Sequence, residues 1–451
     1  MTERLFGTDG VRAKAGEGVL SFAGATGLGN AIGIWLKNRN PKASRVIIGM
    51  DTRKSGPMLK EALSFGIGKS GVHVVSAGIL PTPAVAYLTR KEKFDLGIAI
   101  SASHNPWEYN GVKCFDGDGF KLSDTAEDEI EVALRKVSAN GCNCSAPPKR
   151  CAPKEVHLCK DYLSYLIDIA GGRRLRGIKL VVDCANGATF HIAPKLFKAL
   201  GASLFVINAS ANGADINDRC GSLYPQRMRE AVISNKADLG VAFDGDGDRI
   251  IACDERANVL DGDYLMAAFA RDMIKNNTLA KNTLVATQMS NVMLEQAMED
   301  AAARDVKDGR VIRVGVGDKF VLQRLRRDNL NFGGEQAGHI IFLDHSTTGD
   351  GLLSAIMLLG LIAREDKPAS EIFSPFKKFP QVLVNVRIKE RKPFEDMPAL
   401  SRSIQKCKAT LGRSGRVFVR YSGTEPLARV MVEGPDEAVI KEMAESIASH
   451  F

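Results

Sequence analysis

The chain has 451 residues, which is too long for one hydrophobic core, and we expect roughly two to four domains. Its net charge of +8 occurs without a long block of lysine and arginine, and aromatic residues make up only 6%, so the composition suits anionic small molecules better than nucleic acid. The longest apolar run, residues 355–363, is too short to span a membrane, and residues 1–14 lack the apolar core of a signal peptide. These features predict a cytoplasmic protein that binds neither nucleic acid nor a membrane.

The chain alternates between apolar runs, which predict strands, and helical patterns. The first round has predicted strands at residues 46–50, 72–77 and 96–100, with helices after Pro57 and Pro83. The second has strands at 179–183, 203–207 and 239–243 between helices at 160–169, 192–200 and 226–234. The third has a helix near Asp263, strands at 284–287 and 311–314, and helices at 292–302 and 319–327. Strands that alternate with helices in this way predict mainly parallel sheets.

The pattern changes after Pro368, where residues 382–388, 416–420 and 429–433 alternate like half-buried strands and residues 436–449 predict a final helix. We therefore predict three consecutive α/β domains with mixed, mainly parallel sheets and a smaller C-terminal α+β domain, arranged around a central cleft. The predicted domains are residues 1–154, 155–254, 255–370 and 371–451.

Four of the nine cysteines cluster near Pro147 and Pro148, a proline pair that indicates a linker. They are Cys142, Cys144, Cys151 and Cys159. Their spacing matches no zinc-binding pattern. In a reducing compartment we expect reduced thiols there, rather than a metal site or a disulfide.

The segment at residues 97–115 reads G-I-A-I-S-A-S-H-N-P-W-E-Y-N-G-V-K-C-F. Its apolar run to Ile100 predicts a buried strand, and the pairs Asn105-Pro106 and Asn110-Gly111 are typical of turns. Ser103 is therefore predicted on a loop just beyond a strand end. A serine in that place either forms a turn by bonding nearby backbone or presents its hydroxyl for chemistry.

Residues 243–249 read F-D-G-D-G-D-R, and three carboxylates so close together repel one another unless a cation lies among them. Positive φ angles at Gly245 and Gly247 are predicted to curl the loop so that the carboxylates converge. Oxygen-only ligands indicate Mg²⁺ or Ca²⁺. Glu255 stands where an EF-hand has its last ligand, but Arg249 occupies the position that requires glycine, so the pattern favours Mg²⁺.

Three further loops have compositions that suit a phosphorylated sugar. Residues 420–429, R-Y-S-G-T-E-P-L-A-R, are either an ordinary polar hairpin or a phosphate cradle made by backbone N–H groups, hydroxyls and arginines. Residues 333–339, G-G-E-Q-A-G-H, offer Glu335 for sugar hydroxyls and His339 for a proton or a phosphate, although a lone histidine is often structural. Residues 6–12, F-G-T-D-G-V-R, are glycine-rich and end in a cation, a weak signal by itself.

Taken in order, S-A-S-H-N-P with N-G-V-K, F-D-G-D-G-D-R, G-E-Q-A-G-H and S-G-T-E-P resemble the four signature loops of the α-D-phosphohexomutase family. The opening F-G-T-D-G-V-R, T-T-G-D-G at residues 347–351 and P-L-A-R-V-M-V-E-G after Glu425 are most similar to bacterial members that act on amino-sugar phosphates. The resemblance covers essentially the whole chain.

This resemblance implies a role for each residue that matches a family position. Ser103, rather than Ser101, would carry the phosphoryl group. Mg²⁺ would be held by four groups, namely Ser103, Asp244, Asp246 and Asp248. Catalytic groups around the phosphoserine would be Arg12, His104 and Lys113, of which Lys113 would transfer a proton, and His339 would contact phosphate or act as acid or base. Substrate would be bound by Glu335, Gln336, Arg249, Arg420, Ser422, Gly423, Thr424 and Arg429.

The reaction that the resemblance implies is the interconversion of glucosamine 6-phosphate and glucosamine 1-phosphate. The phosphoryl group of Ser103 passes to the sugar, the resulting 1,6-bisphosphate turns end over end, and its other phosphate returns to Ser103. A hexosamine or glucose 1,6-bisphosphate is the expected activator, and family members are often homodimers. The last domain would close over the substrate.

Two positions depart from the family pattern, and three alternatives remain. Ala337 replaces a serine of the sugar loop, which puts sugar affinity or selectivity in question, and Ala13 replaces a glycine. The nearest alternative is the same chemistry on mannose or glucose phosphates. A serine hydrolase is a second alternative, but the G-x-S-x-G elbow is missing around Ser103. A metal-dependent sugar-phosphate binding protein without turnover is the third.

Overall fold

A computed structural model describes residues 4–139, 153–172, 175, 177–305, 309–422 and 426–451. Its strands form four sheets of six, five, four and three strands, in chain order. The first three sheets mix parallel with antiparallel pairs, and the fourth is antiparallel. The predicted fold class is confirmed. None of the helices in the described part of the chain combines the length and the apolar character that a membrane crossing requires.

The first domain contains the Ser103 loop. Its strands are β1 (Val11–Lys14), β2 (Arg45–Met50), β3 (His73–Ile79), β4 (Leu96–Ile100), β5 (Tyr109–Asp116) and β6 (Lys154–Glu155). Its helices are α1 (Phe22–Arg39), α2 (Gly56–Gly68), α3 (Thr82–Lys91) and α4 (Asp124–Ala139). The sheet order is β1-β5-β4-β2-β3-β6. Strand β4 is buried along its whole length, as a central strand covered on both faces should be, and the Ser103 loop follows its carboxyl end.

The second domain contains the acidic loop. Its helices are α5 (Cys159–Ile169), α6 (Ala193–Ala199) and α7 (Gln226–Asn235). Its strands are β7 (Lys179–Asp183), β8 (Ser203–Ile207), β9 (Leu239–Phe243), β10 (Ile250–Asp254) and β11 (Val259–Leu260), in the sheet order β11-β10-β9-β7-β8. Strands β9 and β10 are antiparallel neighbours and both are fully buried. The acidic loop at residues 244–249 is therefore a hairpin connection whose two ends are fixed by the core.

The third domain contains the G-G-E-Q-A-G-H loop. Its helices are α8 (Gly262–Lys275), α9 (Met293–Asp305), α10 (Asp318–Asp328), α11 (Gly351–Glu365) and α12 (Ala369–Phe373). Its strands are β12 (Thr283–Thr287), β13 (Arg310–Val314), β14 (Phe332–Gly334) and β15 (Ile340–Phe342), in the sheet order β13-β12-β14-β15. The loop connects the antiparallel strands β14 and β15.

The last domain is an antiparallel sheet with two helices. Its strands are β16 (Gln381–Arg387), β17 (Arg416–Tyr421) and β18 (Leu427–Glu433), in the order β16-β18-β17, and its helices are α13 (Pro398–Leu411) and α14 (Glu437–Ala448). Exposure alternates along β16, as expected for a strand with one face on the core and one face in solvent. Among the described residues this domain has a hydrophobic core of its own.

One hydrophobic cluster runs through the first three domains. It includes Leu88 of α3, Phe243 of β9 and Phe332 of β14, all buried. Tyr162 of α5 also donates a hydrogen bond to Asp350, the residue that caps α11, over 2.6 Å. The loops of these three domains are therefore held in fixed relative positions by shared packing.

The prediction of a turn at Asn110 and Gly111 is wrong, because both residues lie inside β5. The glycine is required there by a close approach of three strands. A Cβ atom at Gly111 would lie 2.5 Å from the carbonyl oxygen of Ser101 and 2.6 Å from that of Val11. The Asn110 side chain accepts from the Gly111 N–H at 2.8 Å and donates to the Ser55 hydroxyl at 2.8 Å.

Candidate active site

Ser103 lies at the meeting point of the first two domains. Its backbone is in the left-handed region with φ of 52°, and its side chain is fully buried. The Oγ atom donates to Oδ2 of Asp244 at 2.6 Å and lies 3.3 Å from Nδ1 of His104. The hydroxyl therefore faces the acidic loop of the neighbouring domain, as a residue with a chemical role should.

The acidic loop brings its three carboxylates together. Oxygen atoms of Asp244, Asp246 and Asp248 all lie within 4.8 Å of one another, and all three residues are buried. Gly247 has the predicted positive φ, 70°, but Gly245 is not among the positive-φ glycines of the described chain. Gly245 is needed instead because a Cβ there would come within 2.6 Å of the Ser103 carbonyl oxygen. Convergence of the carboxylates was predicted correctly, and the role of Gly245 was not.

Lys113 of β5 neutralises part of this negative charge. Its Nζ atom lies 2.8 Å from Oδ2 of Asp246, 3.0 Å from Oδ2 of Asp248 and 2.9 Å from Oδ2 of Asp9. Burial alone would lower the pKa of Lys113, but the carboxylates of Asp246, Asp248 and Asp9 raise it well above the ordinary value. The ammonium group is therefore protonated at neutral pH.

Lys113 does not balance all the negative charge of the three carboxylates, and a divalent cation would neutralise the remainder. Burial, followed by repulsion from Asp248 and Asp246, raises the pKa of Asp244 well above its ordinary value. Burial would also raise the pKa of Asp248, but Lys113 and His339 hold it well below that value. Oδ1 of Asp246 is buried and has no hydrogen-bond partner in the part of the chain that the structure describes. A buried, unpartnered carboxylate oxygen within an all-oxygen donor set suits Mg²⁺.

His104 and Arg249 flank the trio. The backbone N–H of Arg249 donates to Oδ1 of Asp244 at 3.2 Å, and its Nε lies 3.8 Å from Oδ1 of Asp248. Burial, followed by the charges of Arg249 and Arg12, lowers the pKa of His104 to about 4. The imidazole beside Ser103 is therefore neutral at pH 7.

Three domains contribute to a closed ring of ionisable side chains around this centre. His339 lies 3.5 Å from Asp248 through Nδ1 and 3.5 Å from Asp318 through Nε2, and its Nε2 also accepts the N–H of Gly349 at 3.0 Å. Carboxylates alternate with basic side chains along the ring, and His339 becomes a cation only when Nε2 is protonated and no longer accepts the Gly349 N–H. In order, the ring is Asp9, Lys113, Asp248, His339, Asp318 and Lys121, which returns to Asp9.

The electrostatics of His339 and Arg12 follow from this ring. Burial would lower the pKa of His339, but Asp248 and Asp318 raise it. Arg12 forms an ion pair with Asp9, whose own pKa is held well below the ordinary value by Lys113, Lys121 and Arg12, against the effect of burial. Arg12 is thereby brought to the edge of the same site.

The other residues of the predicted sugar loop lie beside this ring. Oε1 of Glu335 accepts the N–H of Gly317 at 3.1 Å, and burial raises the pKa of Glu335. The backbone oxygen of Gln336 accepts the N–H of Gly262 at 3.0 Å. Ala337, the departure from the family pattern, is exposed. Its missing hydroxyl would therefore lie on the solvent side of the loop.

The predicted phosphate cradle of the last domain is described in part. Arg420 of β17 and Arg429 of β18 are directly opposite in the antiparallel pair, and burial together with Arg429 lowers the pKa of Arg420. Ser422 is buried, and its N–H donates to the Leu427 oxygen at 2.8 Å. With Met289 of the third domain, both arginines line a cavity of about 20 Å³. Gly423 and Thr424 lie outside the described residues, as do Cys142, Cys144, Cys151, Pro147 and Pro148.

Several residues that complete the site were not predicted. Asp9 lies within F-G-T-D-G-V-R, and that motif was the available signal. The other side chains are separated from the site in sequence and carry no motif signal of their own, namely Arg53, Thr82, Lys121, Asn217 and Asp318. Cys159 is half-buried with a free thiol, and the five other described cysteines are also free.

Comparison with known proteins shows which protein family has this fold. Four family models match consecutive parts of the chain. They are Phosphoglucomutase/phosphomannomutase alpha/beta/alpha domain I at residues 3–140, domain II at 160–258, domain III at 261–379 and the C-terminal domain at 383–450. The chain belongs to the phosphoglucomutase/phosphomannomutase family, as its motifs indicated.

Individual proteins of the family show which members this chain resembles. The chain is 44% identical over 456 residues to the phosphoglucosamine mutase of Anaeromyxobacter sp. (strain Fw109-5), covering 100% of this chain and 96% of that protein. A Burkholderia thailandensis phosphoglucomutase/phosphomannomutase family protein has the same fold, with a TM-score of 0.80 at 22% identity over 100% of this chain and 97% of that chain. Aspergillus fumigatus N-acetylphosphoglucosamine mutase, solved with GlcNAc-6P and magnesium, matches with a TM-score of 0.65 at 19% identity over 99% and 95% of the two chains.

Proposed function

We propose that this protein interconverts glucosamine 6-phosphate and glucosamine 1-phosphate by phosphoryl transfer to and from Ser103. The observation that carries the proposal is the 2.6 Å contact between Oγ of Ser103 and Oδ2 of Asp244, which joins a buried hydroxyl to a carboxylate trio suited to a cation. The choice of an amino sugar is supported by relatives at 42–44% identity over nearly their full length that are named phosphoglucosamine mutase.

The transfer is balanced without any redox partner. The bond between phosphorus and Oγ of Ser103 breaks and a bond from phosphorus to a sugar hydroxyl oxygen forms. The proton that this hydroxyl loses is matched by the proton that Oγ of Ser103 gains. The same exchange in reverse, on the other end of the 1,6-bisphosphate, restores the phosphoserine. A hexosamine or glucose 1,6-bisphosphate is the activator that would load an unphosphorylated enzyme.

We assign Mg²⁺ to the trio of Asp244, Asp246 and Asp248, with Ser103 as the fourth ligand. When bound, Mg²⁺ supplies positive charge that offsets the charge on the transferring phosphoryl group. Lys113 adds a second positive charge at the same carboxylates, and Arg12 contributes a third from the edge of the site. The proposed groups for proton transfer are Lys113 and His104, whose Nδ1 lies 3.3 Å from Oγ of Ser103; before the transfer the protonated Lys113 is a hydrogen-bond donor and the neutral His104 is also an acceptor.

The sugar and its second phosphate are assigned to the other loops. Glu335 and Gln336 would contact sugar hydroxyls or the amine, and Arg249 and His339 would contact a phosphate close to the trio. The last-domain loop would grip the non-reacting phosphate in either orientation of the intermediate through Arg420, Ser422, Gly423, Thr424 and Arg429. Closure of that domain would exclude water from the transfer.

We propose residues 1–154, 155–254, 255–370 and 371–451 as the domains that carry the phosphoserine, Mg²⁺, sugar and phosphate loops, with β6 and β11 extending the first and second sheets a few residues beyond the first two bounds. The proposed partner is an amino-sugar phosphate, and a cytoplasmic homodimer is the proposed state of the enzyme.

Two measurements test this function. Peptide mass mapping of the protein after incubation with glucose 1,6-bisphosphate should find one phosphoryl group, on Ser103. Turnover of the 6-phosphates of glucosamine, mannose and glucose, measured side by side, should favour glucosamine. A preference for mannose or glucose would overturn the substrate, and a fully active Ser103→Ala variant would overturn the mechanism.

A further inference from the structure

The Arg53 guanidinium group is completely buried behind the Ser103 loop. Its Nε donates to Oδ2 of Asp51 at 2.9 Å, and its other N–H groups donate to backbone carbonyl oxygens of the Ser103 loop and of the first residue of β5. Those acceptors are Ser103 at 2.9 Å, Asn105 at 2.8 Å, Tyr109 at 2.9 Å and Pro106. An arginine side chain has five N–H donors, so each one is used.

A residue of the second domain donates hydrogen bonds to two of the same carbonyl oxygens of the Ser103 loop. Nδ2 of Asn217 donates to the carbonyl oxygen of Ser103 at 2.9 Å and to that of Asn105 at 3.1 Å. Each of these two oxygens therefore accepts hydrogen bonds from both domains. Because buried amide and guanidinium donors are rarely left unpaired, this double acceptance fixes how the loop sits between the domains.

The backbone N–H of Ser103 is held indirectly by Asp51, the carboxylate that also pairs with Arg53. The N–H of Ser103 donates to Oγ of Ser101 at 2.9 Å, and the Ser101 hydroxyl donates to Oδ2 of Asp51 at 2.6 Å. Ser103 has a φ of 52°, which a serine adopts only when its surroundings impose it. The pair of Asp51 and Arg53 restrains the backbone on both sides of this residue.

We propose that Arg53 is a positioning residue for phosphoryl transfer. Through the carbonyl oxygens of Ser103 and Asn105 it keeps Ser103 in the left-handed conformation that directs Oγ towards Asp244. The inference rests on the proposed function of Ser103. Since the hydrogen bonds of Arg53 go to this loop and to Asp51, its replacement moves the reacting atom and leaves the sugar-binding loops in place.

The test compares Arg53→Lys with wild type. Lysine keeps the charge but cannot reproduce the five-donor fork. We expect kcat to fall by about 100-fold, the effect of misplacing a reacting atom, while KM for glucosamine 6-phosphate is unchanged. Phosphorylation of Ser103 by glucose 1,6-bisphosphate should slow in parallel. Arg229→Lys is the matched control, because Nε of Arg229 donates to the Ala257 carbonyl oxygen at 2.7 Å in the second domain, and it should behave as wild type.

A purely structural role would lower thermal stability without this split between kcat and KM. Wild-type kcat in a folded Arg53→Lys variant, or a raised KM with kcat retained, overturns the inference. If that variant does not fold, Ser101→Ala and Asn217→Gly decide, since glycine tolerates the φ of 60° at residue 217. Both should lower kcat at constant KM, and wild-type values in both refute the proposal. A wild-type protein that never accepts a phosphoryl group refutes the function of Ser103 instead.

Discussion

Thr82 and Asp246 are joined by two hydrogen bonds across the boundary between the first two domains. The Thr82 hydroxyl donates to Oδ2 of Asp246 at 2.6 Å, and the Thr82 N–H donates to the Asp246 carbonyl oxygen at 2.9 Å. Thr82 is the first residue of α3, so its N–H is free of helix partners and available for this contact. The first helical turn of one domain thus fixes the middle carboxylate of the next.

Replacing Thr82 by valine keeps the shape and removes only the hydroxyl. Because a partner that orients a metal ligand supports the metal's affinity, Thr82→Val should weaken Mg²⁺ binding by about 10–100-fold. Calorimetric titration of the purified protein with MgCl₂ measures this. Thr410→Val is the control, since the Thr410 hydroxyl donates to the Lys406 carbonyl oxygen at an exposed position of α13. Equal Mg²⁺ affinity in Thr82→Val and wild type would show that Mg²⁺ does not depend on this contact.

Most strands were predictable because their apolar runs are continuous. The predicted strands at 96–100, 179–183, 203–207 and 239–243 have the observed bounds. Three of them are buried, whereas 203–207 is a partly exposed edge strand. Helix α1 was missed because its sequence contains four glycines and is buried over much of its circumference, which weakens the helical period. Strand β5 was missed because the pair Asn110-Gly111 resembles a turn.

The site was predictable only where residues that act together are neighbours in sequence. The acidic trio and Ser103 were found through their own loops. Lys121 and Asp318 pair across a separation of 197 residues, and Asn217 meets the Ser103 loop over a separation of 114. Such pairs depend on how domains pack, and side-chain chemistry at either position alone does not reveal them.

Removal of the Lys113 ammonium should destabilise the metal-free protein. Lys113→Met removes the ammonium that Asp9, Asp246 and Asp248 share, and the loss of one partner of a buried ion pair costs about 3–5 kcal/mol of unfolding free energy. Saturating Mg²⁺ should recover more stability in this variant than in wild type, and urea unfolding with and without MgCl₂ measures both quantities. Lys275→Met is the control, because its pair with Glu365 is exposed and worth less than about 1 kcal/mol. If Mg²⁺ stabilised Lys113→Met and wild type equally, Lys113 and Mg²⁺ would not neutralise the same carboxylates.

His104 should titrate far below an ordinary histidine in the metal-free protein. Burial, then Arg249 and Arg12, lower its pKa to about 4, whereas an unfolded histidine has a pKa of about 6.5. Between these values the unfolded chain binds a proton that the folded chain does not, so the contribution of His104 to stability is lost as pH falls from 6.5 to 4. Nitrogen-15 NMR of the imidazole, with His104→Gln to assign the signal, measures this. Titration near pH 6.5 would refute the burial argument.

Gly111 should not tolerate even a methyl group. The added Cβ would meet the carbonyl oxygens of Val11 in β1 and of Ser101 directly after β4, which are backbone atoms and cannot move alone. Gly111→Ala is therefore expected to lose at least about 1–3 kcal/mol and to lower kcat, because Ser101 supports Ser103. Gly68→Ala is the matched control, since nothing lies within 4 Å of its Cβ position at the end of α2. Chemical unfolding together with turnover tests this, and wild-type stability in Gly111→Ala would mean that the three strands separate readily.

The facing arginines of the last domain should act on binding and not on the phosphoserine. Arg420 and Arg429 are opposite each other on adjacent strands, an arrangement of two positive charges that suits a phosphate. Arg420→Gln should raise KM for glucosamine 6-phosphate by about 10–100-fold, the value of a charged hydrogen bond. Ser103 should still be loaded at saturating glucose 1,6-bisphosphate, although a higher concentration should be needed because the same arginine would bind the second phosphate of that donor. Arg387→Gln on the exposed end of β16 is the control. An unchanged KM in Arg420→Gln would remove this domain's arginine pair from the phosphate site.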